Sequence, residues 1–219
     1  MRLLDVFSVS SLVGGERMAI DWLLSETASM LRKPADDLDL RSEISLTELA
    51  ARLTFDVQRD LLEYWDVIRG EGHLPARSDF DPLAVPHALP YVGLIDIIEP
   101  GPQFRYRLIG TKLPAYAGGR LEGRLVDEQK TPGIAAYLNC VYELPYRFRQ
   151  PVFIRECADY EDGDEDCLAR LILPMAQDRN MPDMLLVSII YETQNNPGQQ
   201  RRETTPRSCR ALSMVSARP

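Results

Sequence analysis

The stretch YVGLIDIIEPGPQFRYRLIG, residues 91–110, decides the fold because it predicts a β-hairpin. Its first half, residues 91–98, is apolar on both faces except at Asp96, a pattern typical of a strand in the middle of a sheet. Its second half, residues 104–110, alternates large apolar side chains with arginines and stops at a glycine. This alternation indicates a strand with one buried and one wet face, and arginines suit the edge of a sheet.

Three later segments also have strand patterns, at residues 151–160, 166–175 and 184–192. The last is apolar on both faces, so we expect it to lie centrally, like residues 91–98. Short connections between consecutive strands predict antiparallel pairing. The predicted fold class is therefore α+β, with helices inserted between two blocks of strands in one antiparallel sheet.

Two longer helices complete the predicted domain. Residues 45–69 carry apolar side chains at three- and four-residue steps, and Ser45 with Glu48 has the spacing of a capping box. Residues 133–149 form a second amphipathic pattern. We divide the chain into a partly flexible helical leader (1–53), a folded domain (54–193) and a disordered, net positive tail (194–219).

Composition disfavours several function classes. The chain has 219 residues, of which 45% are hydrophobic, and a formal net charge of -8. An acidic balance disfavours nucleic-acid binding, and no apolar run suggests membrane insertion. The four cysteines form no CxxC pair and no zinc cluster, so we expect reduced thiols in a cytoplasmic protein. No nucleophile elbow or phosphate loop occurs, and we expect no catalysis.

Four segments resemble a family of small stand-alone PAS-domain proteins that is common in alphaproteobacteria. They are LLEYWDVIRGEGHLPARSDFDP (61–82), VGLIDI (92–97), FRYRLIGT (104–111) and LILPM (171–175). The resemblance covers about residues 57–192 and implies the PAS fold, a five-stranded antiparallel sheet of strand order 2-1-5-4-3. In this order, residues 91–98 and 184–192 form the central pair and residues 104–110 form an edge.

The resemblance also implies a cavity between the sheet and the middle helices. We expect the apolar side chains of residues 104–108 to face this cavity or the core, and Arg105 and Arg107 to face the outer surface near the amino-terminal helix. The ligand-pocket candidates are Tyr106, Leu108, Tyr116, Tyr137 and Val141. An alternative of equal standing is that these side chains only pack the core.

Cofactors of other PAS domains are disfavoured here. The Asn139–Cys140 pair matches only part of a flavin-binding motif, and the only histidines, His73 and His87, precede the position expected for a haem ligand. We expect no cofactor, with an unknown small ligand left open. Arg77 in PARSDFDP is interpreted either as an anion or partner contact or as part of an internal ion pair beside a capping aspartate.

These patterns lead to one functional hypothesis and one alternative. The hypothesis is a non-catalytic cytoplasmic PAS sensor that acts by contact with another protein, and the resemblance suggests a histidine kinase or its regulator as the partner. We expect a homodimer, with four residues of the first long helix near the contact: Leu61, Leu62, Trp65 and Ile68. The alternative is a ligand-free adaptor or scaffold whose cavity is filled by its own side chains.

Overall fold

The computed structural model describes residues 39–71, 74–100, 102–113, 120–128, 132–159, 165–192 and 208–218. The strands in this part of the chain are β1 (Asp39–Ser45), β2 (Val92–Ile98), β3 (Gln103–Ile109), β4 (Val152–Asp159), β5 (Glu165–Met175), β6 (Met184–Tyr191) and β7 (Ser208–Arg218). Its α-helices are α1 (Leu46–Arg52), α2 (Asp56–Arg69) and α3 (Pro132–Phe148). Short 3-10 turns lie at Arg77–Asp79, Pro82–Ala84, Leu89–Tyr91 and Val126–Glu128.

The strands form a seven-stranded sheet of order β1-β7-β4-β5-β6-β2-β3. The part β3-β2-β6-β5-β4 is antiparallel throughout and has the predicted order of the five-stranded sheet. β2 and β6 are neighbours in its middle, with Val92 opposite Ser188 and Asp96 opposite Met184. The predicted α+β fold and its central pair of strands are confirmed.

Two strands extend this sheet beyond β4. β7 pairs antiparallel with β4, and β1 pairs parallel with β7. The prediction of a disordered tail is therefore wrong for residues 208–218, and the helical leader contains a strand at residues 39–45. Local sequence does not reveal this because β1 and β7 lie far apart in the chain, and an added edge strand depends on unpaired backbone groups elsewhere. Residues 1–38 and 193–207 lie outside the described residues.

The predicted helix over residues 45–69 is two helices. The capping box is confirmed: the Ser45 amide donates to Glu48 Oε2 at 2.7 Å, and the Glu48 amide donates to Ser45 Oγ at 3.2 Å. α1 then ends at Leu53, which has extended backbone angles and an amide that donates to Ala50 O. Leu53 is 3% exposed, so the break between the helices is itself packed into the core.

Apolar side chains fill both faces of the sheet. On one face, α1 and α2 cover residues of odd number on β5, including Leu171 and Leu173; we call this the α2 core. On the other face, α3 and the segment after β3 cover residues of even number on β5, including Leu168 and Ile172; we call this the α3 core. The alternation along each strand therefore places neighbouring residues in different cores.

β3 follows the predicted alternation only as far as Tyr106. Phe104 and Tyr106 are buried in the α3 core. A bulge then intervenes, because Ile95 pairs with Tyr106 while Leu94 pairs with Leu108. As a result Leu108 is 46% exposed, and its predicted inward orientation is wrong.

Gly110 ends the strand for a steric reason. A Cβ atom at this position would lie 2.6 Å from the carbonyl oxygens of both Pro90 and Val92. No side chain fits at that distance without movement of the backbone. The close approach also allows the Lys112 amide to donate to Pro90 O at 2.7 Å, which turns the chain away from the sheet.

Candidate functional site

A small cavity lies between the sheet and α3. Its volume is about 30 Å³, which is room for roughly one water molecule. The walls come from β2, β3, β5, β6, α3 and the segment after β3, and they are mainly apolar. The lining residues are Gly93, Ile95, Tyr106, Ile109, Leu113, Leu121, Leu138, Tyr142, Arg170, Val187 and Ile189. Arg170 is the charged residue in this wall, so the site is built around a buried guanidinium.

Arg170 is neutralised by Glu156 rather than by solvent. Its Nη2 and Nε atoms lie 2.5 Å and 3.2 Å from Glu156 Oε1. Both side chains are 2% to 3% exposed. Two tyrosines of α3 complete the network: the Tyr137 hydroxyl donates to Glu156 Oε2, and Arg170 Nη1 donates to the Tyr142 hydroxyl at 3.2 Å. We call these four residues the buried polar network.

Strand register brings the charged pair together. Glu156 faces Leu168 across the β4–β5 ladder, and Arg170 faces Ile154. Each is therefore the diagonal neighbour of the other on the α3 face, within reach for long side chains. Phe104 packs edge-to-face against Tyr142, with ring centroids 5.6 Å apart, and helps to hold the Tyr142 ring over the guanidinium.

The electrostatics of the network favour the charged form of Arg170 and the neutral form of Tyr142. Burial by itself lowers the pKa of Arg170. The charge of Glu156 and the two tyrosine hydroxyls raise this pKa by more than burial lowers it, so the net shift is upward. Burial also raises the pKa of Tyr142, which remains a neutral hydroxyl. The cavity wall thus presents a charged guanidinium beside a neutral phenol, and neither group is poised for proton transfer near neutral pH.

The predicted pocket residues are distributed unevenly. Tyr106 lines the cavity. Tyr137 and Val141 are buried in the α3 core, and Tyr137 belongs to the buried polar network. Leu108 turns away from the cavity because of the bulge, and Ile109 takes its place in the wall. Tyr116 lies outside the described residues.

Sequence reasoning missed the two charged members of the network. Glu156 occurs in FIRECAD and Arg170 in CLARLIL, each inside a segment that is predicted to be a strand. A charge at such a position in a buried strand indicates a partner, because an unpaired buried charge is very costly. That signal was available, although the partner's identity required the strand register.

The residues of α2 that were predicted to lie near a homodimer contact are mostly buried inside the chain's own core. Leu61, Leu62 and Trp65 are 0% to 1% exposed and pack in the α2 core of the same chain. The Trp65 indole N–H donates to the Pro174 carbonyl at 3.0 Å. Ile68 is partly buried against the same core, whereas Val67 is 71% exposed on the outer side of α2. The homodimer stays a prediction, and Val67 is the exposed apolar residue of α2 that could serve it.

The remaining polar candidates have structural partners. Asp81 Oδ1 accepts from the Leu83 amide at 2.9 Å, as expected for a capping aspartate. Asp79 pairs with Arg179 at 2.8 Å, while Arg77 donates to Phe80 O. The ion pair predicted for PARSDFDP therefore exists but uses Arg179, a residue of the β5–β6 loop, rather than Arg77.

The residues considered as cofactor ligands are Asn139, Cys140, His73 and His87, and the structure describes all of them except His73. Asn139 donates to Asp127 Oδ1 at 2.5 Å, and Cys140 is buried in the α3 core and belongs to no disulfide. His87 contacts Asp60 at 2.9 Å on the surface, and His73 lies outside the described residues.

Within the ranges described, no group of three or more His, Cys, Asp and Glu residues could hold a metal ion. None of the helices described is both long and apolar enough to cross a membrane.

One expectation about the cysteines is wrong. Cys157 and Cys167 form a disulfide between β4 and β5 instead of remaining reduced. They lie directly opposite each other in the ladder, with Cα atoms 4.0 Å apart. The spacing along the chain matched no motif because strand pairing, not sequence proximity, brings the two sulfurs together.

Comparison with known proteins supports the fold. A family model described as a PAS domain matches residues 54–190, more than half of the chain. The matched range contains α2, α3, β2 to β5 and nearly all of β6, and therefore the whole cavity. The strands β1 and β7 and the helix α1 lie outside it. No curated protein and no solved structure matched the chain.

Proposed function

Because the chain belongs to the PAS domain family, whose members serve as sensory and signalling modules and are typically non-catalytic, we propose that it is a cytoplasmic signalling protein that acts by contact with another protein. The proposed partner is a two-component histidine kinase or its regulator. The proposed functional unit is a homodimer. The observation that carries the proposal is the small size of the cavity. Side chains of the protein itself occupy most of the space and leave a volume of about 30 Å³.

The small cavity favours the ligand-free adaptor over a cofactor-binding sensor. Ligand pockets commonly enclose 300 Å³ or more, roughly ten times this volume. The charge of Arg170 is already balanced by Glu156, so an anionic ligand gains little by entering. A ligand would have to displace apolar side chains such as Leu138 and Ile189.

A specific observation supports the sensing alternative. Arg170 borders the cavity, and its three hydrogen bonds to Glu156 and Tyr142 use three of its five guanidinium N–H groups. A small neutral molecule with hydrogen-bond acceptors could use the remaining donors. This alternative therefore requires a ligand of only a few heavy atoms, or an outward movement of the segment after β3.

The proposed route from the cavity to a partner passes through α2. Gln58 of α2 is fully buried, and its Nε2 donates to the carbonyls of Ala169 and Ser188 at 3.1 Å and 3.3 Å. Next to these two residues, Arg170, Val187 and Ile189 line the cavity from the opposite face of the sheet. A movement of β5 or β6 at the cavity would therefore displace the two carbonyl groups to which Gln58 of α2 donates. Such a shift between two packings of α2 would alter the surface offered to a partner.

The α2 interface has a feature suited to two packings. Gln58 Oε1 and Ser188 Oγ are buried without a hydrogen-bond partner. Unsatisfied buried polar atoms reduce the stability of the docked helix by about 1–3 kcal/mol each. The docked state is consequently less favoured than its apolar contacts alone would make it.

Native mass spectrometry of freshly purified full-length protein tests the cavity argument. We expect the mass of the unliganded chain under conditions that preserve non-covalent complexes. A small molecule bound at one per chain would contradict the adaptor and favour the sensor.

Multi-angle light scattering at micromolar concentration tests the homodimer in the same preparation. Val67→Asp is the surface variant. Leu83→Asp is its control, because Leu83 is also exposed, at 81%, but lies outside α2.

Phosphotransfer assays test the proposed partner. Purified histidine kinases from the same genome are incubated with ATP in the presence and absence of the full-length protein. We expect a changed autophosphorylation or phosphotransfer rate for a subset of kinases, and loss of this change with Val67→Asp. Unchanged rates across all the kinases would contradict a role in two-component signalling.

A further inference from the structure

The disulfide lies at the point where the added strands join the PAS fold. Cys157 of β4 is bonded to Cys167 of β5 on one side and lies opposite Arg210 of β7 on the other. β7 is outside residues 54–190, the range of the family match. The Cys157–Cys167 bond therefore ties down the strand on which the extension of the sheet is built.

Half of β7 depends on this end of β4. Near the carboxyl end of β7, Val215, Ala217 and Arg218 pair with β1, and Val215 also pairs with Phe153 of β4. Ser208–Ala211 pair with β4, opposite Asp159 to Glu156, and with no other strand in the described part of the chain. Strand ends separate more readily than strand centres, and the cross-link to β5 restrains this end of β4.

The two sulfurs differ in accessibility. Cys157 is fully buried, whereas Cys167 is partly exposed. Thiol–disulfide exchange requires a thiolate to reach one sulfur, and accessibility selects which sulfur is attacked. Cys167 is therefore the more accessible of the two bonded residues.

We propose that Cys157 and Cys167 form a reversible two-electron redox site, that its reactant is a dithiol reductant, and that reduction releases the Ser208–Ala211 half of β7 from β4. One thiolate of the reductant attacks Cys167 Sγ, the S–S bond breaks, and Cys157 leaves as a thiolate and takes up a proton. The second thiol of the reductant then attacks the mixed disulfide and Cys167 leaves as a thiol. The reductant ends as its own disulfide, having supplied two electrons and two protons.

The surroundings of the bond suit a regulatory role. Glu156 precedes Cys157, so the released strand end adjoins the buried polar network that borders the cavity. Disulfides in a reducing compartment are usually transient and redox-sensing. This last step rests on the proposed cytoplasmic location, whereas the chemistry of the site does not.

Limited trypsin digestion tests the release directly, because Arg210 lies inside the affected half of β7. The assay uses full-length protein carrying Cys209→Ser, so that exchange is confined to the proposed pair. We expect cleavage after Arg210 on the order of tenfold faster after treatment with dithiothreitol than after oxidised dithiothreitol. Alkylation and intact-mass analysis count the thiols in each state, and two additional labels are expected after reduction.

Matched variants distinguish a local from a global effect. Cys157→Ser with Cys167→Ser should show fast cleavage that no longer responds to dithiothreitol, whereas Cys140→Ser, which changes the buried thiol outside the pair, should respond like the parent. Hydrogen exchange of residues 184–191 should stay unchanged. Equal cleavage rates in the two redox states, or failure of oxidised dithiothreitol to re-form the bond, would overturn the proposal. So would equal acceleration of exchange in β6, because the change would then be global unfolding. These results are independent of any ligand or partner.

Discussion

Nη2 of Arg170 lies 2.5 Å from Oε1 of Glu156, and both side chains are almost completely buried. The pair is enclosed by α3 on one side and by the ladder of β4 and β5 on the other. It is the principal charged element of the cavity. It therefore controls both the stability of the α3 core and what the cavity can accept.

Removal of the buried counter-charge should be strongly destabilising. Glu156→Gln leaves Arg170 charged and unpaired, and we expect a loss of about 3–5 kcal/mol in the free energy of unfolding. Urea denaturation followed by circular dichroism measures it. The matched control is Glu192→Gln, which breaks the exposed Glu192–Arg155 ion pair and should cost no more than about 1 kcal/mol. Equal losses for the two variants would show that Glu156 is not the required counter-charge.

Replacement of both partners should cost less than replacement of one. The double variant Glu156→Leu with Arg170→Met removes both charges and keeps similar volume, so no uncompensated charge remains. We expect the double variant to be more stable than Glu156→Gln, with a free energy of unfolding that is higher by about 2 kcal/mol or more. A double variant less stable than the single one would indicate that the tyrosine hydroxyls, once without partners, dominate the energetics.

Gly110 should not tolerate a methyl group. The Cβ of Gly110→Ala would meet two carbonyl oxygens at 2.6 Å, so the turn after β3 has to move, and we expect a loss of at least about 3 kcal/mol. The control is Gly70→Ala, where φ is +64° but nothing lies within 4 Å. That variant carries only the conformational penalty, about 1–3 kcal/mol, of a backbone with φ +64° and ψ -149°, which residues other than glycine rarely adopt. Thermal and urea denaturation of both proteins measure the difference, and similar stabilities would contradict the steric argument.

Two serines should respond to alanine substitution in opposite directions. Ser188 Oγ is buried without a partner, so Ser188→Ala should raise the free energy of unfolding by up to about 1 kcal/mol. Ser45 caps α1, so Ser45→Ala should lower it by about 1 kcal/mol. Both are measured by urea denaturation. A loss of stability in Ser188→Ala would mean that the hydroxyl has a partner, such as a bridging water.

The stability should depend on pH in the alkaline range through Tyr146. Burial, together with the hydrogen bond to Glu99, raises the pKa of Tyr146 to about 12. Because the folded pKa lies above the ordinary value near 10, this contribution is complete below pH 10 and is lost as the pH rises towards 12. Tyr146→Phe should therefore lose less stability than the wild type between pH 10 and 12. Parallel slopes for the two proteins would contradict the assignment, as would an absorbance titration at 295 nm in which Tyr146→Phe removes a phenol that titrates near pH 10.

The elements that were predictable from sequence are those with local patterns. The central strands β2 and β6 have continuous apolar runs, the Ser45–Glu48 capping box has its own spacing, and the edge position of β3 follows from its arginines. Such signals arise from the geometry of one strand or one helical turn. They need no knowledge of distant residues, and they were sufficient for the two central strands, the edge position of β3 and the inward orientation of Tyr106.

The sequence by itself determined the composition of the sheet's middle and the helices that flank it, because hydrophobic periodicity is a local property of the chain, and the resemblance of four segments indicated the class of protein. Only the tertiary structure decided the bulge that turns Leu108 outward, the pairing of Glu156 with Arg170, the Cys157–Cys167 bond and the addition of β1 and β7. Each of these depends on the register between strands. Register is set by the packing of both faces at once, and a shift of one residue would separate every one of these pairs.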